Sequence, residues 1–292
     1  MPPETADVSV IMPAYRAAAT IGRALASIAA QTLLPREVIV VDDGSDDGTS
    51  EAAQAMVPGM NGAALRIFRQ DNQGPGAARN HALTKAACRY VAFLDADDEW
   101  LPEKIERSMA HLAEGYTLVA HDGWVIRGGE TEALECSRRF ASGRDPYVEL
   151  YRRGYIDTCS VVVLREAVME AGGFDAELPV GQDFDLFLSI LGQPGTPFLV
   201  FPERLVRYHI TPGSVTSNTA RRLSCQLRIL RRHAPRLARF PGLTLPSVWF
   251  RVLAVHYEAL TVYRSRRDAM GLARTLASLA LSLPRETFGV LP

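Results

Sequence analysis

The stretch Val91-Ala92-Phe93-Leu94-Asp95-Ala96-Asp97-Asp98-Glu99 sets three aspartates directly after four apolar residues. Such a run reads as a buried strand, so the carboxylates crowd its mouth, where they repel one another and lose water. Hard divalent cations take carboxylate oxygens and bridge phosphates, so Asp-x-Asp here points to Mg or Mn holding a diphosphate. A single aspartate would more often cap the helix entered at Pro102; a cluster behind a strand favours the metal. Val40-Val41-Asp42-Asp43-Gly44-Ser45 repeats the pattern: an acidic pair after a strand can accept from a base N–H edge or from ribose hydroxyls. Ser45 to Thr49 reads as turn and cap. In Asn72-Gln73-Gly74-Pro75-Gly76-Ala77-Ala78-Arg79-Asn80, glycines open a helix whose start, with Arg79, suits a phosphate. As a dinucleotide fingerprint it is poor, because Arg79 occupies the third glycine position. Gly172-Gly173-Phe174-Asp175 leads on to Gly181-Gln182-Asp183-Phe184-Asp185, where Asp183 would be placed to take a proton, although on spacing alone Asp183 or Asp185 more readily just stabilises a helix start.

Alternating elements must position these groups. Val8 to Met12, Glu37 to Val41, Leu65 to Arg69 and Tyr90 to Leu94 read as short strands, separated by helical spacing around Ile21-Leu25-Ile28, Ala77 to Ala87 and Pro102 to His111. A strand near Leu118 to Val125 completes the alternation, which predicts a doubly covered, mainly parallel α/β sheet with ligands beyond the strands' carboxyl ends. Residues 127 to 145 read as a long loop or lid. Cys159 to Leu164, Phe198 to Phe201 and Leu205 to His209 read as strands, Gly181 to Leu191 as a helix, and everything after Ser217 as helical.

The 292 residues, 47% hydrophobic and 22% charged, exclude disorder and a disulfide-stapled miniprotein. The net charge of −1 conceals a division. Residues 1–217 hold 19 basic and 30 acidic side chains, net −11, and residues 218–292 hold 13 and 3, net +10. Four well-separated cysteines (Cys88, Cys136, Cys159, Cys225) read as buried thiols in a reducing compartment. Neither a signal peptide nor an apolar span of membrane length is visible, so a cytoplasmic protein is expected.

In order and spacing, Ser9-Val10-Ile11-Met12-Pro13-Ala14-Tyr15, Val41-Asp42-Asp43-Gly44-Ser45, Gly76-Ala77-Ala78-Arg79-Asn80, Leu94-Asp95-Ala96-Asp97-Asp98, Gly172-Gly173-Phe174-Asp175 and Gln182-Asp183-Phe184-Asp185-Leu186 together resemble the inverting family 2 glycosyltransferases. The resemblance covers roughly residues 7–217. It implies the GT-A fold, a Rossmann-like sheet with helices on both faces, as a catalytic domain over 1–217, followed by a basic helical extension over 218–292. It also implies a nucleotide-sugar donor, Mg or Mn, a single displacement with inversion, and a glycan or lipid-linked acceptor of the kind used in polysaccharide biosynthesis. Carried over by position, Pro13, Tyr15, Asp42 and Asp43 line the nucleoside pocket. Arg79 approaches the phosphates or base, Asp95 the ribose or sugar, Asp97 the metal, and Asp183 is the general base. The family commonly has Glu-Asp where this chain has Gln182-Asp183, which puts acceptor contacts in doubt. His209, with Ser214 and Ser217, looks like the segment that closes over the diphosphate; a lone histidine is as often structural, so His209 stands as a second, open metal-side candidate.

In the extension, Arg221, Arg228 and Arg232 share one helical face and Leu223, Leu227 and Leu230 another. Docking on an anionic membrane, peripheral on the inner face of the cell membrane, is set slightly ahead of packing on the catalytic domain. No nucleic-acid module is recognisable. Two rivals remain: a haloacid-dehalogenase-like phosphohydrolase using Asp95, against which Asp98 and the motif's late position count, and a non-catalytic nucleotide-sugar-binding module.

Overall fold

The computed structural model describes residues 5–141, 145–154, 156–210 and 218–289. Its first half alternates as the apolar runs require: β1 (Thr5–Ala14), α1 (Ile21–Ala29), β2 (Leu34–Asp42), α2 (Thr49–Ala55), β3 (Ala64–Arg69), α3 (Pro75–Lys85) and β4 (Tyr90–Phe93). A two-residue β5 (Glu99–Trp100) and α4 (Lys104–Ala113) follow, then β6 (Leu118–Arg127), β7 (Glu130–Leu134), α5 (Ser137–Phe140), α6 (Pro146–Arg153), β8 (Val162–Leu164), α7 (Arg165–Glu170), α8 (Gln182–Leu191) and β9 (Phe198–His209). Three helices end the chain: α9 (Thr219–His233), α10 (Thr244–Ser265) and α11 (Ala269–Phe288).

The strands form one curled sheet in the order β3-β2-β1-β4-β8-β6-β9-β5, with β7 added to β6. β3, β2, β1 and β4 run parallel, as does β6 with β9. β8 enters antiparallel between β4 and β6, and β5 and β7 pair antiparallel at the margins. The sheet is therefore mixed, with its parallel part concentrated in the strands that lead into Asp42 and Asp95. Successive residues point to opposite faces. Val8, Val10 and Met12 pack with α1 and α4 residues such as Leu25 and Ile105, while Ile11, Val41 and Phe93 pack with α3 residues such as Ala78 and Ala82.

Two sequence expectations need correction. Residues 127 to 145 are not one long loop, because β7 folds back on β6 as a hairpin and α5 follows it. Phe198–Phe201 and Leu205–His209 are one strand of 12 residues, β9, which passes through Pro202 where the register with β6 shifts.

The extension is packed into the molecule. Leu223, Leu227, Ile229 and Leu230 of α9 and Val248, Val252 and Val255 of α10 belong to the same buried cluster as α3, α6 and α8. The amphipathic α9 therefore turns its leucines to the catalytic side, the alternative that the sequence reading ranked second. Leu230 is 1% exposed. Leu230→Ala is expected to cost about 2–5 kcal/mol in a urea unfolding experiment that follows the whole chain; a loss below about 0.5 kcal/mol would mean that α9 does not share this core.

Candidate active site

β1, β2 and β4 end on the same side of the sheet, and the loops beyond them carry the acidic groups. Asp42 is fully buried. It accepts from the Ser45 amide (2.9 Å) and the Ser50 hydroxyl, so it organises the turn that follows β2. Burial raises its pKa, but these donors and Arg69 more than offset that, and the net shift is downward. Asp43 reaches across to the loop before α3, accepting from Gln70 Nε2 and the Gln73 amide at 2.9 Å and from the Gly74 amide at 2.8 Å. Gly44, which follows Asp43, has φ +79°, and a Cβ there would lie 2.9 Å from the Asn72 amide nitrogen, so glycine is required twice over. Pro13 is buried in β1, past the point where β4 stops pairing, and Tyr15 emerges 49% exposed with the Arg16 guanidinium 5.4 Å from its ring centroid. Ser45 and Thr49 serve the turn as expected, accepting from the Arg16 and Ala17 amides.

Two motifs 94 residues apart prove to be one unit. Asn80 on α3 donates to the Phe174 carbonyl (2.7 Å) and accepts its amide (2.9 Å), imitating a strand pair. The approach is close enough that a Cβ on Gly173 would lie 2.7 Å from Asn80 Oδ1, and Gly173 has φ +72°. Arg79 stacks on the Phe174 ring at 5.3 Å, donates to Asp95 Oδ1 at 2.6 Å and to Gln182 Oε1 at 3.4 Å. Burial disfavours its charge, yet Asp95 and then Asp183 outweigh that and raise its pKa. One buried arginine thus links the strand-end aspartate to the helix that carries Asp183. Gln182 is itself buried and spends its amide on the Leu178 carbonyl at 2.6 Å.

Asp183 lies in the first turn of α8, which Gly181 enters with φ +82°. Its Oδ2 accepts from Thr158 Oγ1 at 2.7 Å and its Oδ1 from the Phe184 amide at 2.8 Å. Two residues on, Asp185 faces the other way: Oδ2 meets Arg232 at 2.7 Å and Oδ1 meets His233 Nε2 at 2.9 Å, so α9 anchors the back of α8.

Among the described residues, the atoms able to ligate a metal that converge around Asp95 are those of Asp95, Asp98 and Cys159, all within 4.8 Å of one another. Asp98 is fully buried; its carboxylate accepts the His209 amide at 2.8 Å and contacts Cys159 Sγ at 3.1 Å. Burial, then Asp157, Asp95 and Asp97, hold its carboxyl well above the usual range, and burial does the same to the Cys159 thiol. Asp97 lies outside this group, half-buried, its carbonyl accepting from Arg23. The His209 imidazole is engaged with Glu99 at 2.9 Å, and Ser214 and Ser217 lie outside the described residues.

The sequence reading missed Asp157, which caps a short turn through the Cys159 amide while its Oδ2 is buried with no partner among the described residues. The two-residue spacing from Asp157 to Cys159 is a capping signal, but nothing in the sequence says that this turn faces β4. Burial, opposed by that amide and reinforced by Asp95 and Asp183, pushes Asp157 up to about 7. An orphaned carboxylate oxygen beside crowded, charge-suppressed carboxylates fits a hard divalent cation, whose charge would relieve them; the protonated Cys159 thiol does not fit as its ligand. Without cation, the folded protein keeps the Asp157 proton from about pH 4, where an ordinary carboxyl loses it, up to about pH 7. Asp157 therefore costs stability progressively as pH rises through that window. Asp157→Asn should gain over the wild type by a margin that grows from pH 4 to 7, up to about 4 kcal/mol, in urea melts with EDTA. A margin independent of pH would refute the assignment.

A family model described as Glycosyl transferase family 2 matches residues 9–170. TuaG of Bacillus subtilis, a putative teichuronic acid biosynthesis glycosyltransferase, is 38% identical over 220 residues, covering 72% of this chain and 82% of its own. WfgD of Escherichia coli, a UDP-Glc:alpha-D-GlcNAc-diphosphoundecaprenol beta-1,3-glucosyltransferase, is 27% identical over 224 residues, covering 76% and 85%. Other relatives are much longer: the chain spans 30% of an uncharacterized glycosyltransferase of Rickettsia bellii. In fold, the mannosyltransferase PcManGT of Pyrobaculum calidifontis, solved with GDP-Man and Mn2+, superposes with a TM-score of 0.64 at 22% identity, over 99% of this chain and 84% of the other.

Proposed function

The chain belongs to glycosyl transferase family 2 and is a glycosyltransferase; from that premise we propose that it moves a sugar from a nucleoside-diphosphate donor to a hydroxyl acceptor with inversion, assisted by Mg or Mn. The observation that carries this reading is the Arg79 bridge, which sets the acidic strand end and the Asp183 helix on one side of the sheet. Membership of the family displaces the phosphohydrolase reading of Asp95.

In this proposal Pro13 and Tyr15 flank the nucleoside, and Asp42 and Asp43 stiffen the loops that present it. Arg79 stays paired with Asp95, so that Asp95 offers hydrogen bonds to ribose or sugar while the guanidinium stands close to the phosphates. Asp97, with the carboxylates beside it, would hold the cation, which when bound neutralises charge on the leaving diphosphate. Asp183 takes the proton from the acceptor hydroxyl as its oxygen attacks the anomeric carbon. The bond from that carbon to the diphosphate breaks, and its electron pair leaves with the phosphate oxygen. Thr158 and the Phe184 amide fix the carboxylate by hydrogen bonds, leaving lone pairs for the incoming hydroxyl. Gln182, neutral where the family commonly has glutamate, puts no second charge on Arg79.

The acceptor class, a lipid-linked or surface-polysaccharide glycan, rests on relatives named for such substrates. Among the described residues no helix is long and apolar enough to cross a membrane. Residues 1–217 as catalytic unit, 218–292 as acceptor-side element, and a cytoplasmic, membrane-peripheral location complete the proposal. The test is calorimetric titration of UDP-, GDP- and dTDP-sugars with Mn or Mg and with EDTA, followed by slow donor hydrolysis. One donor should bind in a metal-dependent way and be hydrolysed; binding of none would overturn the proposal, and binding without hydrolysis or transfer would leave a carrier module.

A further inference from the structure

The arginines of the extension fall into two classes. On α9 most are spent inside the molecule: Arg222 pairs with Glu258, Arg228 with Glu177, Arg231 with Glu286, and Arg232 with Asp175 and Asp185, while Arg221 at the helix start is exposed and meets no carboxylate among the described residues. On the α10–α11 hairpin, Arg264, Arg266, Arg267, Arg274 and Arg285 are all exposed and meet no carboxylate among the described residues. The three acidic residues of this hairpin are already engaged: Glu258 and Glu286 by α9, and Asp268 in accepting the Gly271 amide that starts α11.

The same hairpin turns large apolar side chains to solvent. Trp249, Leu253 and Tyr257 recur every four residues along one face of α10, at 46%, 47% and 72% exposure. On α11, Met270, Leu276 and Leu281 are exposed as well, at 62%, 55% and 74%, though not at a single helical spacing. A monomer seldom leaves so many large apolar residues together in water. Apolar and aromatic side chains interspersed with unopposed arginines match the boundary of an anionic bilayer, where rings and leucines enter the headgroup region and guanidinium groups meet lipid phosphates. A second copy fits worse, because a two-fold contact would bring the same unopposed arginines face to face.

We infer that the α10–α11 hairpin, and not the arginine face of α9, is the surface by which this protein lies on an anionic membrane. This deepens the acceptor assignment proposed above and rests on it only for its purpose. The core packing of α9 and α10 then passes the membrane's position rigidly to the catalytic side.

The experiment is co-sedimentation of the full chain with phosphatidylcholine vesicles, with and without phosphatidylglycerol, in the absence of donor. Wild type should bind only the anionic vesicles, lose binding in high salt, and show a blue shift of Trp249 emission. Leu253→Glu with Tyr257→Glu should weaken vesicle binding by about tenfold or more while leaving thermal unfolding unchanged. Arg266→Ala with Arg267→Ala should weaken it and flatten its salt dependence. Wild type that ignores anionic vesicles, or a Leu253→Glu, Tyr257→Glu protein that binds them fully, overturns the inference. So does sedimentation velocity showing a dimer that those substitutions split. Vesicle binding needs neither donor nor transfer, so an inactive protein that binds vesicles would sink the proposed function and leave this inference standing.

Discussion

Asp183→Asn is expected to lower the transfer rate by about 10²–10⁴-fold while leaving donor affinity within about twofold. The amide keeps the size of the carboxylate, and its oxygen can still accept from Thr158 Oγ1 or the Phe184 amide, so α8 should not move. What it loses is the capacity to take a proton from the attacking hydroxyl. The loss should therefore fall on kcat, with little change in KM for the donor. Thr158→Val serves as a comparison, since it removes one hydrogen bond to the base and keeps the base itself; a smaller loss, about tenfold, is expected. Near-normal turnover in Asp183→Asn would remove Asp183 from the mechanism.

Asp97→Ala is expected to abolish the metal-dependent part of donor binding. Calorimetry with Mn should give an affinity at least about 100-fold weaker than wild type and close to that measured in EDTA. Unchanged metal-dependent affinity would shift the role to Asp95 and Asp98, whose oxygens stand together. Asp98 starts from a different position, because burial and three neighbouring aspartates keep its carboxyl protonated well above the usual range. Its two oxygens are already occupied by the His209 amide and Cys159. Asp98→Asn should accordingly damage metal binding less than Asp97→Ala does.

The parallel half of the fold was legible because Val8 to Met12, Glu37 to Val41 and Tyr90 to Leu94 carry apolar residues on both faces, interrupted only by Ser9 and Glu37, which bond to each other, as suits strands under helices on either side. The hairpin β6–β7 was not, since Thr131, Glu132 and Ala133 are exposed and lack the alternation that marks a half-buried strand. Pro202 disguised β9 as two strands, a fair inference from a residue that cannot donate to a ladder. In the site, the strand-end aspartates stand out because they crowd behind apolar runs, whereas Asp183 is singled out only by the family resemblance, its spacing alone favouring a helix-start role. Their joining through Arg79, Phe174 and Asn80 could not, because contacts across 94 residues leave no local periodicity. Asp157 escaped for the same reason. The leucines of α9 announced an amphipathic helix; which surface would cover them depended on α8 and α10, and no pattern within α9 encodes that.

The two aspartates of α8 set a rule for recombining enzymes of this family. Asp183 is the base of the proposed mechanism, while Asp185, one helical half-turn away, is gripped by Arg232 and His233 from the extension. A chimera joined near residue 217, intended only to change where the enzyme sits or which acceptor it meets, would also replace the residues that hold the back of α8. Such grafts should retain activity only when Asp175 and Asp185 travel together with Arg232 and His233.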